Sequence, residues 1–562
     1  LGLVATPQGT SPFSFRRHTQ DLTVARLSRE DYYAGSGELP GLWGGEGAKR
    51  LGLLGTVTRD DFHQLCDNRR PDGSPLTLRT KAARRVGYDL NFHCPKSLSV
   101  LYSLTGDARL LDVFRQAVGE TMRRMEQEAK ARVRTGGAEY DRVTGNLLWA
   151  EFVHTTARPI DGIPDPHLHA HCFTFNATWD NEQGVWKAGQ FGDLKRDAPF
   201  FEAFFHSKLS QHVQSLGYGV TQTGRFWELS GVPESVVQKF SRRTAEIESL
   251  AEKRGITNPK AKDALGAKTR DRKSSALPFE QVVADWQKRL SVTERARLGT
   301  ASAFGLANPS PMDPQRAVDH AVAKLLERES VVPERAVAEQ AMRFSLGRAS
   351  AEAIEEAVRS APLLRREVDG RVFVTTSEVL AEERVMLDFA RDGRGTCRPL
   401  CASPPLPRSN KLSEQQQAAV SYLATSTDRV MIVRGRAGTG KTTLMQEAAA
   451  MIEASGHSVH VFAPSAEASR GVLRREGFKE AETVAKLLSD PAVQRQTRGQ
   501  VIWVDEAGLM GTKSMRSLFE LAESCNARVV LSGDSKQHRS VERGDALRLL
   551  ETHAGLGVAQ LS

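Results

Sequence analysis

The chain has 562 residues, 40% hydrophobic and 26% charged, with a formal net charge of +9. That length is too great for one ordinary core and suggests roughly three or four domains, and without a run of 18 apolar residues no membrane-spanning helix is expected. The basic balance favours an anionic partner, with nucleic acid first among them.

The opening stretch, "LGLVATPQGTSPFSFRRHTQ", lacks the charged, apolar and small-residue order of a signal peptide. Six scattered cysteines fit a reducing compartment, so a cytoplasmic location is expected. The chain starts at Leu1 and stops at "VAQLS" inside an unfinished pattern, which suggests a fragment at both ends.

In "SREDYYAGSGELPGLWGGEGAKRLGL", Tyr32 and Tyr33 are two of only seven tyrosines and precede a Gly-rich, Trp-containing stretch. Taken alone, such a pair reads as packing. "GYDLNFHCPKSLSVLYSL" reads as a strand turning into a helix, with Asp89 in the strand. Lys96 and Ser97 fall at the helix start, where backbone N–H groups suit a phosphate. "NLLWAEFVHTTAR" places His154 on a second apolar strand.

"IPDPHLHAHCFTFN" then sets His167, His169 and His171 at alternate positions, three of only 14 histidines. Alternation is the strand period, and residues two apart share a face roughly 7 Å apart. Imidazoles so placed can lean onto one cation, although parity does not choose among the three or exclude a ligand from another strand. Segments between 255 and 313 are polar, basic and broken by Pro and Gly, which places the end of the first domain near Ser310.

Residues 314 to 395 show helical periodicity followed by "PLLRREVDGRVFVTT", where Asp369-Gly370 suits a two-residue hairpin turn. A helical, winged-helix-like module is expected, followed by the Pro-rich linker "TCRPLCASPPLPRSN". From Lys411 the pattern becomes strand, Gly-rich turn and helix, which predicts a parallel α/β sheet.

"VMIVRGRAGTGKTTLM" joins an apolar strand to Gly435, Gly438, Gly440, Lys441, Thr442 and Thr443 at a helix start. This is the phosphate-binding P-loop in its required context. Its N–H groups and helix N-terminus face phosphate, Lys441 reaches the outer phosphates, and the Thr442 hydroxyl suits Mg²⁺. "VIWVDEAGLM" ends a strand in Asp505 and Glu506, a carboxylate to hold Mg²⁺ through water and one to orient the attacking water. In "LSGDSKQH", Gln537 is a candidate γ-phosphate contact.

With "LSEQQQAAV", "FAPSAEAS" and "LSGDSKQ" in that order, residues 411–562 resemble superfamily 1 helicases of the RecD-like branch. The resemblance implies an ATP–Mg²⁺ site in the first of two RecA-like lobes, with the motor incomplete over these residues.

Upstream, "HTTAR" followed by "LHAH", together with "DYY" and "WGGEGAKRLGL", resembles the relaxase domain of MobF-class conjugative transfer proteins, the TraI- and TrwC-like relaxase–helicases. The resemblance runs through nearly all of residues 30–260. It implies His154, His169 and His171 as ligands of a divalent metal (Mg²⁺, Mn²⁺ or Zn²⁺), with His167 an outer neighbour. Asp89 is implied as the carboxylate on a ligating histidine, and Tyr32, beside Tyr33, as the nucleophile. Relatives carry an earlier tyrosine pair about a dozen residues upstream, where this chain has Gln20 and Asp21.

The expected architecture is a multidomain α/β chain. Residues 1–310 form an α+β relaxase domain of HUH-endonuclease type with an antiparallel sheet, 311–400 the winged-helix-like module, and 401–562 a P-loop lobe. The implied activity is strand-specific nicking of single-stranded or hairpin DNA at an origin of transfer, through a 5′-phosphotyrosyl intermediate. A coupling protein and secretion machinery are the implied partners, with no membrane insertion. Trp43 and Phe92 are candidates for base stacking. A rolling-circle replication initiator and a non-catalytic DNA-binding remnant are the alternatives.

Overall fold

The structure is a computed structural model describing residues 13–19, 39–78, 84–157, 159–224, 226–258, 261–262, 265, 278–301, 310–401, 412–436, 439–534 and 540–561; for 13–19 only the backbone is described. Two compact units emerge, one of residues 1–321 and 335–361, the other of 322–334 and 362–562.

The first unit is built on five strands: β1 (Phe13–Thr19), β2 (Leu42–Gly44), β3 (Arg85–His93), β4 (Trp149–Thr156) and β5 (Pro166–Phe175). Among the described residues they form one antiparallel sheet in the order β1-β3-β5-β4-β2. Directly opposed residues of antiparallel strands share a face, so the register divides each strand's side chains between two environments. Leu90, Phe92, Leu168, Ala170 and Cys172 are fully buried on one side, where Phe92 packs against Phe205 and Phe205 edge-on against Phe114. Phe114 belongs to α2 (Ala108–Glu126) and Phe205 to α3 (Ala198–Ser215), with α1 (Lys96–Thr105) following β3 directly.

On the opposite side Phe152, Phe173 and Phe175 surround Phe62 of the helix Arg59–Cys66, with ring centres 5.4–5.8 Å apart. This aromatic cluster occupies one end of that face. Further along, the same parity brings up histidines in place of phenylalanines.

The second unit holds six parallel strands: β6 (Val430–Gly435), β7 (Val459–Ala463), β8 (Glu482–Thr483), β9 (Val501–Val504), β10 (Arg528–Gly533) and β11 (Val558–Leu561). Their order among the described residues is β8-β7-β9-β10-β6-β11. Both faces are buried, which is why these strands are continuous apolar runs and not alternating ones. Before it, Leu364–Val368 and Arg371–Thr375 close a hairpin on Asp369 and Gly370, both with positive φ (51° and 71°), the two-residue turn expected from the sequence. All six cysteines are free thiols.

Candidate metal centre and nucleotide site

His154 of β4 stands directly opposite His169 of β5, and His169 directly opposite His93 of β3. The rings of His154, His169 and His171 form a nearly equilateral triangle, with centres 5.3, 5.2 and 5.2 Å apart. Two adjacent strands in register deliver this triangle, which strand parity could not settle from the sequence. Among the described residues, no group of three or more His, Cys, Asp or Glu side chains is set to hold a metal ion.

The donor set nonetheless fits a divalent cation. His171 Nδ1 lies 2.9 Å from Asp89 Oδ2, and Asp89 is almost completely buried. His169 Nδ1 lies 2.9 Å from the His167 carbonyl. A carboxylate and a carbonyl both demand a proton on Nδ1, which fixes the tautomer with Nε2 as the lone-pair nitrogen. Burial, and then the surrounding imidazoles, push His167 and His169 well below the ordinary histidine range. Neutral imidazole is the metal-binding form.

Sequence reasoning missed His93, although its strand had been identified. Its Nδ1 is 3.3 Å from His167 Nε2, and its ring stacks beside both His167 and His169. The missing signal was pairing register: one histidine in "NFHC" gains meaning only when β3 is known to lie against "HLHAH".

Two expectations are corrected. Ser97 is fully buried, its N–H donates to Glu228 Oε2 at 2.8 Å, and its Oγ accepts the Leu229 N–H. A protein carboxylate therefore takes the place at the helix start that the sequence offered to phosphate. Phe92 is likewise buried in the core, out of reach of a base, whereas Trp43 is half-buried near Phe175. Lys96 donates from Nζ to the Pro166 carbonyl at 2.7 Å, and burial lowers its pKa to about 8.

In the second unit, Gly440 has φ 77° at the start of α4 (Lys441–Ala454), and a Cβ there would come within 2.4 Å of Gln416 Nε2. The positive φ favours glycine, and a side chain there would also have to displace the Gln416 amide. Gln416 itself caps the helix Glu414–Thr425 in a capping box and donates to the Gly440 carbonyl. Lys441 Nζ lies 3.1 Å from Glu506 Oε1, and Glu506 has a positive φ of 53°, an uncommon conformation for a non-glycine residue. Asp505 accepts from Ser532 Oγ at 2.7 Å, and burial raises its pKa. Thr442 Oγ1 donates to Glu476 at 2.9 Å, while Thr443 is exposed on the same turn. Gly435, Lys441, Thr442, Asp505 and Glu506 thus gather where strands β6 and β9 end, as open α/β sheets dispose their ligand sites. Tyr32, Tyr33, Gly438 and Gln537 lie outside the described residues.

Comparison with known proteins follows the same division. The TrwC relaxase family matches residues 15–293, and the AAA domain family matches 411–562. Multifunctional conjugation protein TraI of Escherichia coli is 30% identical over 568 residues, covering 93% of this chain and 30% of that protein. The chain thus spans about 30% of that relative's length. The ATP-dependent RecD2 DNA helicase of Deinococcus radiodurans is 30% identical over 214 residues, 34% of this chain and 29% of that protein. A solved structure of conjugative relaxase TrwC with oriT DNA, metal-bound, is 27% identical with a TM-score of 0.46, covering 51% of this chain and 98% of that one. The relaxase match, the AAA match and an alignment through nearly the whole chain agree: this chain belongs to the MobF-class, TrwC/TraI-like relaxase–helicases.

Proposed function

We propose that this chain nicks one DNA strand at an origin of transfer and carries an ATP-binding motor lobe. The observation that carries the reading is the triangle of His154, His169 and His171 with Asp89 behind His171. A divalent cation held there would polarise a backbone phosphate and stabilise the charge that develops on it. Tyr32, with Tyr33 beside it, is the nucleophile. Its hydroxyl, with an ordinary pKa near 10, loses its proton and attacks phosphorus. The new bond joins tyrosine oxygen to the 5′-phosphate, the bond to the 3′-oxygen breaks, and that oxygen takes up a proton as the free 3′-OH.

In the motor lobe, Gly435, Gly438, Gly440, Lys441, Thr442 and Thr443 hold the phosphates of ATP. Asp505 and Glu506 serve its Mg²⁺ and the attacking water, and Gln537 senses the γ-phosphate. Residues 1–310, 311–400 and 401–562 make up the relaxase, winged-helix-like and motor parts. Single-stranded or hairpin DNA is the substrate, a coupling protein and secretion machinery are the partners, and the cytoplasm is the site of action. The conjugative relatives and the basic charge of +9 support this assignment.

The test is incubation of the chain and Mn²⁺ with labelled single-stranded oligonucleotides tiling the DNA around its gene. A covalent protein–DNA adduct is expected, and it should disappear in Tyr32→Phe/Tyr33→Phe. An undiminished adduct in that variant overturns the nucleophile, and gel-shift binding without any adduct favours a non-catalytic DNA-binding protein.

A further inference from the structure

The second unit contains a carboxylate that the sequence motifs did not single out. Glu476 follows the segment Glu467–Leu473 that runs out from strand β7. Its Oε2 accepts the Thr442 hydroxyl at 2.9 Å, and its carbonyl accepts Gln446 Nε2 at 2.6 Å. Gln446 and Thr442 lie one helical turn apart on α4, so the backbone and side chain of Glu476 are pinned to the same helix face. Asp505, the carboxylate that the sequence assigns to Mg²⁺ through water, is engaged instead with Ser532. Lys441 is meanwhile paired with Glu506. Each of the two P-loop side chains that would grip nucleotide or metal thus already has its own carboxylate.

We infer that Glu476 is a positioning residue for the divalent cation that accompanies the nucleotide, acting through the Thr442 hydroxyl. A threonine oxygen that ligates a cation keeps its proton, and that proton still needs an acceptor. The Glu476 carboxylate is that acceptor. It orients the oxygen lone pair toward the cation and adds negative charge behind it, as outer-shell carboxylates do for metal-bound side chains. The same charge repels phosphate when no cation lies between them. Glu476 therefore makes the site selective for the metal–nucleotide complex over the bare nucleotide. This inference rests on the P-loop reading above.

The test measures binding of a fluorescent ADP analogue to the full chain, in EDTA and across a Mg²⁺ titration. Glu476→Gln keeps the size of the side chain, and Glu480→Gln, an exposed neighbour, is the control. In Glu476→Gln the Mg²⁺ affinity of the nucleotide complex should fall about 10- to 100-fold, while affinity for metal-free nucleotide rises. Opposite movements of the two constants cannot come from a damaged fold, which weakens both. Equal Mg²⁺ dependence in Glu476→Gln and wild type, or a parallel loss of both affinities, overturns the role of Glu476. A wild-type chain that binds no nucleotide even at saturating Mg²⁺ overturns the P-loop reading and this inference with it. Nucleotide binding abolished by Lys441→Ala but unchanged in metal dependence by Glu476→Gln overturns the inference alone.

Discussion

Asp89 lies opposite Phe173 on the neighbouring strand and reaches diagonally to His171, 2.9 Å away. Asp89→Asn keeps the shape but presents an amide where a carboxylate held the Nδ1 proton, so the ring loses its preferred tautomer. Calorimetric titration with Mn²⁺ should show affinity about 10- to 100-fold weaker. Glu151 illustrates a different residue-scale effect. It points to the opposite face from His154, only 9% exposed, with Arg115 no closer than 3.5 Å. Burial pushes its carboxyl up from 4.5 to about 7, only partly countered by Arg115. Between those pH values the folded chain holds more protons than the unfolded chain, so stability falls as pH rises through the window. Glu151→Gln removes that charge and should stabilise the first unit at pH 8 by roughly 3 kcal/mol. Thermal unfolding compared at pH 8 and pH 4 should show the gain shrinking toward acid.

The connection between β4 and β5 decides whether His154 meets His169 in register. It is held at its end by Asp165, which is buried and accepts from Arg242 Nε at 2.9 Å and Arg289 Nη1 at 2.8 Å. Arg242 also donates to the Ile163 carbonyl, and Trp286 Nε1 to that of Pro164. Removing one member of such a buried set leaves two guanidinium groups facing each other without their acceptor, at a cost of about 3–5 kcal/mol. Asp165→Ala should therefore speed hydrogen exchange through 159–166 and lower metal affinity together, whereas the amides of α2 stay protected. The role of this stretch was not legible in the sequence, because the partners of Asp165 lie 77 and 124 positions downstream.

At the scale of the whole molecule, the net charge of +9 makes oligonucleotide affinity a function of salt. Affinity should fall linearly on a logarithmic plot as salt rises from about 50 to 200 mM, since each neutralised phosphate releases counterions. A flat plot would remove phosphate contacts as the source of binding. The second unit yields a separate expectation. The helix Ser377–Asp392 contributes Met386 and Ala390 to the same core as strands β6, β9 and β10, and its Phe389 stacks on Phe519 with ring centres 4.8 Å apart. A 362–562 fragment should thus unfold at a higher temperature than a 401–562 fragment, measured by calorimetry with and without nucleotide.

The sequence by itself determined the features written in local spacing. These were the P-loop, the acidic pair ending a strand, the Asp-Gly turn, the alternation of apolar and histidine positions, and through the motifs "HTTAR", "LHAH" and "DYY" the family. Each depends on residues within a few positions of one another, where helix and strand periods act directly on the chain. Tertiary structure alone decided which strands adjoin. Register brought His93 beside His167 and chose His171 among the histidines for Asp89, while packing sealed the start of α1 with Glu228 and set Glu476 against Thr442. Those partners are 34 to 131 residues apart, and no local periodicity encodes a pairing that only the packing of the folded sheet selects.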